Sequence, residues 1–418
     1  MSTHSVADRL PLARLTARRS IGLLGIALGA LASWLALPPL AARAAAWPLL
    51  VGMLALAAGI WAVTRGAGRV GWGAVAAGLI GMALGVAATR SGETNLDLVF
   101  AWPALLAATL RYATPLTFAA VGGLFSERSG VVNIGLEGMM LMGAFFGFWG
   151  ADRTGSWQLG LVIAIASGMA LALVHAFFCI HLRADQIVVG TGINFLALGI
   201  TGYAFVDIYG SEGSPTDVPS VSSPPLGFLN RWVPEIHIGP VDFEGAFIAE
   251  VFGDLNYMIW LSFLLLVLSY IVIFRTSIGL RLRAVGEHPR AAETVGISVY
   301  GIRYAAVITS GALAAVGGAY LSLADINLFD QNLTGGRGFI AIAALIFGNW
   351  RPFGAFAAAL LFGFSSALGD RLPAYFEQGS STPLLFNALP YVLTLIAVAG
   401  VIGRSIPPAA IGRPYRKQ

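Results

Sequence analysis

Apolar residues run in long blocks through most of this chain, and polar residues gather between them. Blocks of about 20 residues are long enough to cross a bilayer as α-helices. They fall at about 20–37, 46–64, 70–89, 98–125, 131–150, 158–181, 186–207, 255–274, 303–323, 337–348, 353–369 and 385–403. This pattern predicts an all-α, polytopic transmembrane helical bundle of about 12 spans. The block at 337–348 is too short to cross comfortably, so it reads as re-entrant. Gly130, Gly135 and Gly138 predict a broken helix around 126–138. Broken backbone at membrane depth survives only inside protein or against water.

Composition supports the same picture. The chain is 57% hydrophobic and 11% charged, with a mean hydropathy of +0.78. A soluble domain carries about 25% charged residues. The net charge of +4 is almost wholly arginine, because Lys417 is the only lysine. In a membrane protein such charge sets orientation and is no argument for nucleic acid. Placing Arg65, Arg69, Arg128, Arg183, the 274–303 stretch, Arg351 and the tail from Arg413 to Lys417 inside makes both ends cytoplasmic. Arg43, Arg90, Arg153, Arg231 and Arg371 do not fit that scheme. The long segment 208–254 then lies outside, and its six prolines favour irregular structure. It reads either as a solvated lid or as a docking surface.

The N-terminal arginines Arg9, Arg14, Arg18 and Arg19 precede an apolar run, Ile21–Leu37, that is longer than a signal h-region. A retained signal-anchor helix is expected. Residues 1–95 form an extension with two or three transmembrane helices and almost no polar groups. Residues 96–405 carry Asn, Glu, Arg and aromatics within their spans and form the working core; 406–418 are a basic tail. Cys179 is the sole cysteine, which excludes an intramolecular disulfide, and Cys/His spacing for a metal is absent. No nucleophile elbow, no His-Glu-x-x-His and no Walker A are present, so catalysis is not expected here.

Three polar segments interrupt the core. In Ser126–Met140, Asn133 and Glu137 lie four apart and would share a helix face. They read as pathway groups or as a lock on the broken helix, and Glu127 and Arg128 as an inner-surface pair. In Asp185–Phe195, Gly190 and Gly192 permit close helix approach, and the amide of Asn194 sits beside the ring of Phe195. That pairing suits a flat ligand with polar edges; a helix-to-helix hydrogen bond explains it equally well. In Ala324–Phe339, the Gly335-Gly336-Arg337-Gly338 run opens a short apolar helix whose N-terminus can face a polar ligand.

The 274–303 stretch is an arginine-dense island, with Arg275, Arg281, Arg283, Arg290 and Arg303. Pro289 suits a first helical turn and Gly296 a C′ position, so a short helix is expected between them. Ala291, Ala292 and Val295 would give it an apolar stripe for another protein's groove.

Residues 126–145, 283–297 and 335–355 together resemble the permease subunits of bacterial ABC importers for nucleosides and simple sugars, most closely the nucleoside branch. The resemblance covers about 96–405 and implies a type II ABC importer permease-like fold in the cytoplasmic (inner) membrane. It implies a coupling loop within 276–302, with Arg283, Gly286, Glu287, Pro289, Arg290, Ala291, Ala292, Glu293 and Gly296 facing an ATPase subunit. It implies a second, different permease subunit and a lipid-anchored binding protein of the basic membrane protein type. ATP and Mg would be held by the ATPase. The pathway candidates carried over are Asn133, Glu137, Asn194, Asn327 and Phe329. A ribose-like sugar is the alternative cargo, and an ion-coupled transporter using Glu137 the alternative mechanism. The extension 1–95 departs from the shorter members of that family.

Overall fold

The structure is a computed structural model. It describes residues 17–36, 46–91, 102–210, 213–224, 236–238, 241–243, 251–253, 255–371 and 406–416. The expected span at 385–403 lies outside them. Two compact units emerge: one of residues 1–105, 232–247 and 374–379, the other of 106–231, 248–373 and 380–418.

The first unit holds α1 (Ala17–Ala36), α2 (Ala46–Thr64) and α3 (Arg69–Ser91). Small residues let their backbones touch. A Cβ on Gly59 would lie 2.5 Å from the backbone nitrogen of Val75, and one on Gly78 would lie 2.7 Å from that of Leu56. This is the small-residue packing of helices in lipid, where bulky side chains are left outside. Leu24, Leu54, Trp72 and Ile80 are accordingly exposed. A two-stranded hairpin, β1 (Ile236–Ile238) and β2 (Val241–Phe243), belongs to the same unit and pairs His237 with Asp242.

The second unit is built around α5 (Leu136–Thr154), which is buried almost end to end. Against it pack α6 (Trp157–Ala176), α7 (Gln186–Tyr209), α11 (Val299–Tyr320) and α12 (Arg337–Phe347), and the unit also holds α4 (Trp102–Arg128), α8 (Tyr257–Arg275) and α13 (Pro352–Arg371), the last two packed on each other. Two short helices, α9 (Ser277–Glu287) and α10 (Pro289–Thr294), join α8 to α11. Both α6 and α11 end in a π-helical turn, Phe177–His181 and Leu321–Asp325, which the apolar pattern does not announce. Side-chain caps start several helices where the sequence allows. Asp185 accepts from the N–H groups of Ile187 and Val188, Asn256 from Ile259, and Thr276 from Gly279.

Among the described residues, eight helices are long and apolar enough to cross a membrane. They are α2, α3, α4, α6, α7, α8, α11 and α13. Helices α1 and α12 are shorter apolar helices, and α5 carries Glu137, Asp152 and Arg153. The chain is a multi-pass membrane protein.

The described part of the long polar loop is irregular, as its prolines predict, yet it is not a free lid. Val218 and Val221 are buried, and the Val221 N–H donates to the Leu323 carbonyl at 2.9 Å. The segment straps across the π-turn that ends α11.

Candidate functional site

Helix α4 stops at Arg128 and α5 starts at Leu136; the intervening chain is extended and turned, with Gly130 at φ +92°. A break of this kind leaves backbone groups that must find partners away from water. Polar side chains from α7 and α6 supply several of them, and one from α11 holds the side chain of Asn133. From α7, Gln186 accepts the Val132 N–H at 2.7 Å, and Asn194 donates to the Ile134 carbonyl at 3.0 Å while accepting the Gly138 N–H at 2.8 Å. From α6, buried His175 places Nε2 3.1 Å from the Val132 carbonyl. From α11, Ser310 receives the Asn133 amide at 2.9 Å. Asn133 therefore lies in the break, before α5 begins, and does not share a helix face with Glu137.

Glu137 sits in the first turn of α5 and closes a second break. One carboxylate oxygen accepts from the Thr334 hydroxyl at 2.6 Å and the Gly336 N–H at 2.8 Å; the other accepts the Gly338 N–H at 2.6 Å. An ionised carboxylate is acceptor-only, and all three contacts are donors. Gly335 and Gly336 take φ +52° and +86° to turn the chain into α12. A Cβ on Gly338 would fall 2.5 Å from the Glu137 Cα, so only glycine lets the carboxylate this close. The expectation that the N-terminus of α12 faces a ligand is corrected: Glu137 already takes its N–H groups. One side chain thus ties the start of α5 to the start of α12.

Two of the remaining pathway candidates, Asn194 and Phe329, are also engaged within the chain. Asn194 points inward while Phe195 is 69% exposed, so amide and ring do not face one ligand. Phe329 is a core residue, edge-on to Phe145 at 5.1 Å and tilted against Phe205 at 5.4 Å. Asn327 is left-handed at φ +54°, and its carbonyl oxygen, like that of Asn133, is buried without a partner. A Cβ on Gly190 would fall 3.0 Å from the backbone nitrogen of Gly135, whereas one on Gly192 would meet nothing among the described residues.

Glu127 and Arg128 do not pair with one another. Both hold Trp350, which sits at φ +52° in the turn between α12 and α13. Buried Glu127 accepts its indole N–H at 2.5 Å, and Arg128 donates to its carbonyl at 2.6 and 3.0 Å.

In the island, Pro289 occupies the first turn of α10, and Gly296 follows at φ +82°. The sequence reading misses α9, whose buried side holds Leu282, Val285 and Gly286. The apolar stripe of α10 is split: Ala292 is buried, while Ala291 and Val295 are exposed. Arg283 is half-buried over the ring of Phe274, which Arg128 also approaches, at 5.3 and 5.6 Å. Arg303 is not a surface charge; it is 2% exposed.

The tail explains that burial. The Ala410 N–H donates to the Gly286 carbonyl at 2.9 Å, and the Gly412 N–H to the Gly130 carbonyl at 3.1 Å. The Ala409 N–H donates to Glu287 at 3.1 Å, Arg303 donates to the Arg413 carbonyl at 3.2 Å, and the Tyr415 hydroxyl donates to Glu293. The Tyr415 ring packs with Val285, Ala292 and Val299 and lies edge-on to Tyr300. Burial, with the Glu293 carboxylate, pushes its phenol up to about 12, so it remains a donor at neutral pH. Tail and island therefore lie on the same side of the membrane. The one cue in the sequence is a lone tyrosine within a basic terminus.

The family described as branched-chain amino acid transport system / permease component matches residues 105–398. The guanosine ABC transporter permease protein NupQ of Bacillus subtilis is 41% identical over 332 residues, 77% of this chain and 99% of that protein. The nucleoside ABC transporter permease protein NupC of Lactococcus lactis is 38% identical over 323 residues, 75% and 96%. The putative glucose ABC transporter permease protein TsgC13 of Haloferax volcanii is 39% identical over 267 residues, 63% and 76%. No solved structure matches significantly. The chain belongs to the branched-chain amino acid transport system permease family, as a non-catalytic permease component of an ABC transporter.

Proposed function

We propose that this chain is the membrane-conducting subunit of an ABC importer that carries nucleosides inward across the cytoplasmic membrane. The observation that carries the reading is 41% identity across 99% of a guanosine permease and 38% across 96% of a nucleoside permease, where a putative glucose permease of 39% identity is matched over only 76% of its length. Its partners are a separate ATPase that binds ATP and Mg, a second and different permease, and an outer binding lipoprotein of the basic membrane protein type. The island 276–302 faces the ATPase in the cytoplasm, as does the tail, in keeping with their arginines. The loop 208–254 faces the binding protein.

Movement at α10 is transmitted to α4 and α5 through the Gly286–Arg128 contact and the tail's bond to Gly130. Because Glu137 ties both helix breaks together, α5 and α12 shift as one body during alternating access. The second permease sits on the open side of α7, where a Cβ on Gly192, Gly199 or Gly202 would meet nothing among the described residues and Phe195 and Tyr203 are exposed.

The test is uptake of labelled guanosine into proteoliposomes containing both permeases, the ATPase and the binding protein. ATP-dependent uptake competed by nucleosides but not by ribose or glucose is expected. Competition by a sugar alone, or uptake driven by an ion gradient without ATP, overturns the proposal.

A further inference from the structure

The tail does more than finish the chain. Residues 406–416 fold back along α9 and α10 and leave a cleft of about 730 Å³ between tail and α10. Arginines from three separate segments meet there: Arg183 after α6, Arg290 on α10, and Arg413 and Arg416 on the tail. Their guanidiniums have no ion-pair or hydrogen-bond partner among the described residues. His288 also lines the cleft. Its one carboxylate, Glu287, is already taken by the Ala409 N–H.

Four exposed arginines around one concavity repel one another, and the single carboxylate there, Glu287, leaves the cleft with an excess of positive charge. An anionic partner would compensate it. The concave form favours a protruding acidic segment over a flat bilayer, which would meet only the rim. The tail is already ordered by its bonds to Gly286, Glu287, Gly130 and Arg303, so a partner does not pay the cost of ordering it. Beside the cleft, Ala291 and Val295 stand exposed, the latter at 74%.

We propose that residues 406–416 form half of the ATPase-docking surface, and that the arginine-ringed cleft between tail and α10 takes an acidic segment of the ATPase subunit. This rests on the reading of α10 as the ATPase contact. The tail, with no role assigned by the sequence, then sets the strength and salt dependence of that contact.

The experiment measures binding of the ATPase to the two-permease complex in neutral-lipid nanodiscs across a salt series. R413E/R416E should bind about tenfold more weakly at low salt and lose much of the salt dependence. The permease's thermal midpoint should hold, because neither side chain has a partner among the described residues and the Arg413 carbonyl is untouched. R413Q/R416Q should show a smaller shift in the same direction. Unchanged affinity and salt slope in R413E/R416E overturn the proposal. So does a result in which these variants lose only binding to phosphatidylglycerol, which would make the cleft a lipid headgroup site. Ala291→Trp separates the two readings: if it weakens ATPase binding while R413E/R416E does not, the contact at α10 stands and the composite surface falls. If Ala291→Trp also binds normally, the ATPase reading itself fails.

Discussion

Glu137→Gln is the sharpest probe of the locked break. The native carboxylate takes three donors on two oxygens, at 2.6, 2.8 and 2.6 Å, within a site where Glu137 is only 7% exposed. The amide keeps one acceptor oxygen and places an NH2 group against a donor. At least one backbone N–H, that of Gly338 or Gly336, loses its partner without water to replace it. An orphaned buried donor costs about 1–3 kcal/mol, and the surviving bonds lose their charge assistance, so the total is about 2–4 kcal/mol. For a large domain that lowers the thermal midpoint by roughly 4–8 °C. Thermal unfolding of the purified permease pair in nanodiscs reads this directly, and guanosine uptake per folded molecule gives the second measurement. The expected outcome is a lowered midpoint with an unchanged KM for uptake. An unchanged midpoint with a raised KM would mean that Glu137 meets the solute, and the lock would be refuted.

Trp350→Phe removes the donor to buried Glu127 and should cost about 1–3 kcal/mol, part of it recovered by adding Glu127→Leu; strictly additive losses in that cycle would show the two are uncoupled. Gly286→Ala drives a methyl into the Arg128 carbonyl, so a loss of about 1–3 kcal/mol with reduced ATPase stimulation is expected, and wild-type behaviour would refute the close contact. Tyr415→Ala should speed hydrogen exchange at the Ala410 and Gly412 amides, and Tyr415→Phe should do so less. Because the folded tyrosine is raised from 10.0 to about 12, its contribution is intact below pH ~10 and is lost as pH rises towards 12. Exchange at those amides that does not change over that window would count against it. Gly199→Cys, with Cys179 buried and inert, should cross-link to a cysteine on the second permease, and failure at every position along that face would move the pairing surface elsewhere.

The sequence discloses what depends on period and on backbone. Apolar blocks mark the spans, Gly130, Gly335 and Gly336 mark the turns at φ > 0, and Pro289 with Gly296 brackets α10. It does not disclose partners, because these are distant in the chain. Trp350 lies 223 positions from Glu127, and Thr334 lies 197 from Glu137. A charge count places Arg303 at a surface for the same reason: burial under the tail depends on Tyr415, 112 residues later. Helix α9 is hidden because its polar outer face, with Arg281 and Glu287, makes the segment read as a loop.

The fate of the polar groups bears on where a solute can pass. Glu137 and Asn194 spend their hydrogen bonds on the two helix breaks, Asn133 gives its amide to Ser310, and Phe329 lies in the aromatic core. A polar group used for backbone at membrane depth cannot be lent to a passing nucleoside without leaving that backbone unpaired, at about 1–3 kcal/mol per group. Transient binding in a pathway must be weak and cannot repay such a cost at every step. On the proposed function, contacts to the solute then fall to side chains that stand largely exposed on this subunit. Along α7 these include Phe195 and Tyr203, at 69% and 74% exposure, beside open glycines. A flat base stacks on such rings at little cost in orientation. On the proposed function the lock and the pathway are then different surfaces of neighbouring helices: α5 and the inner side of α7 hold the fold, and the outer side of α7 would meet the second permease and the cargo between them.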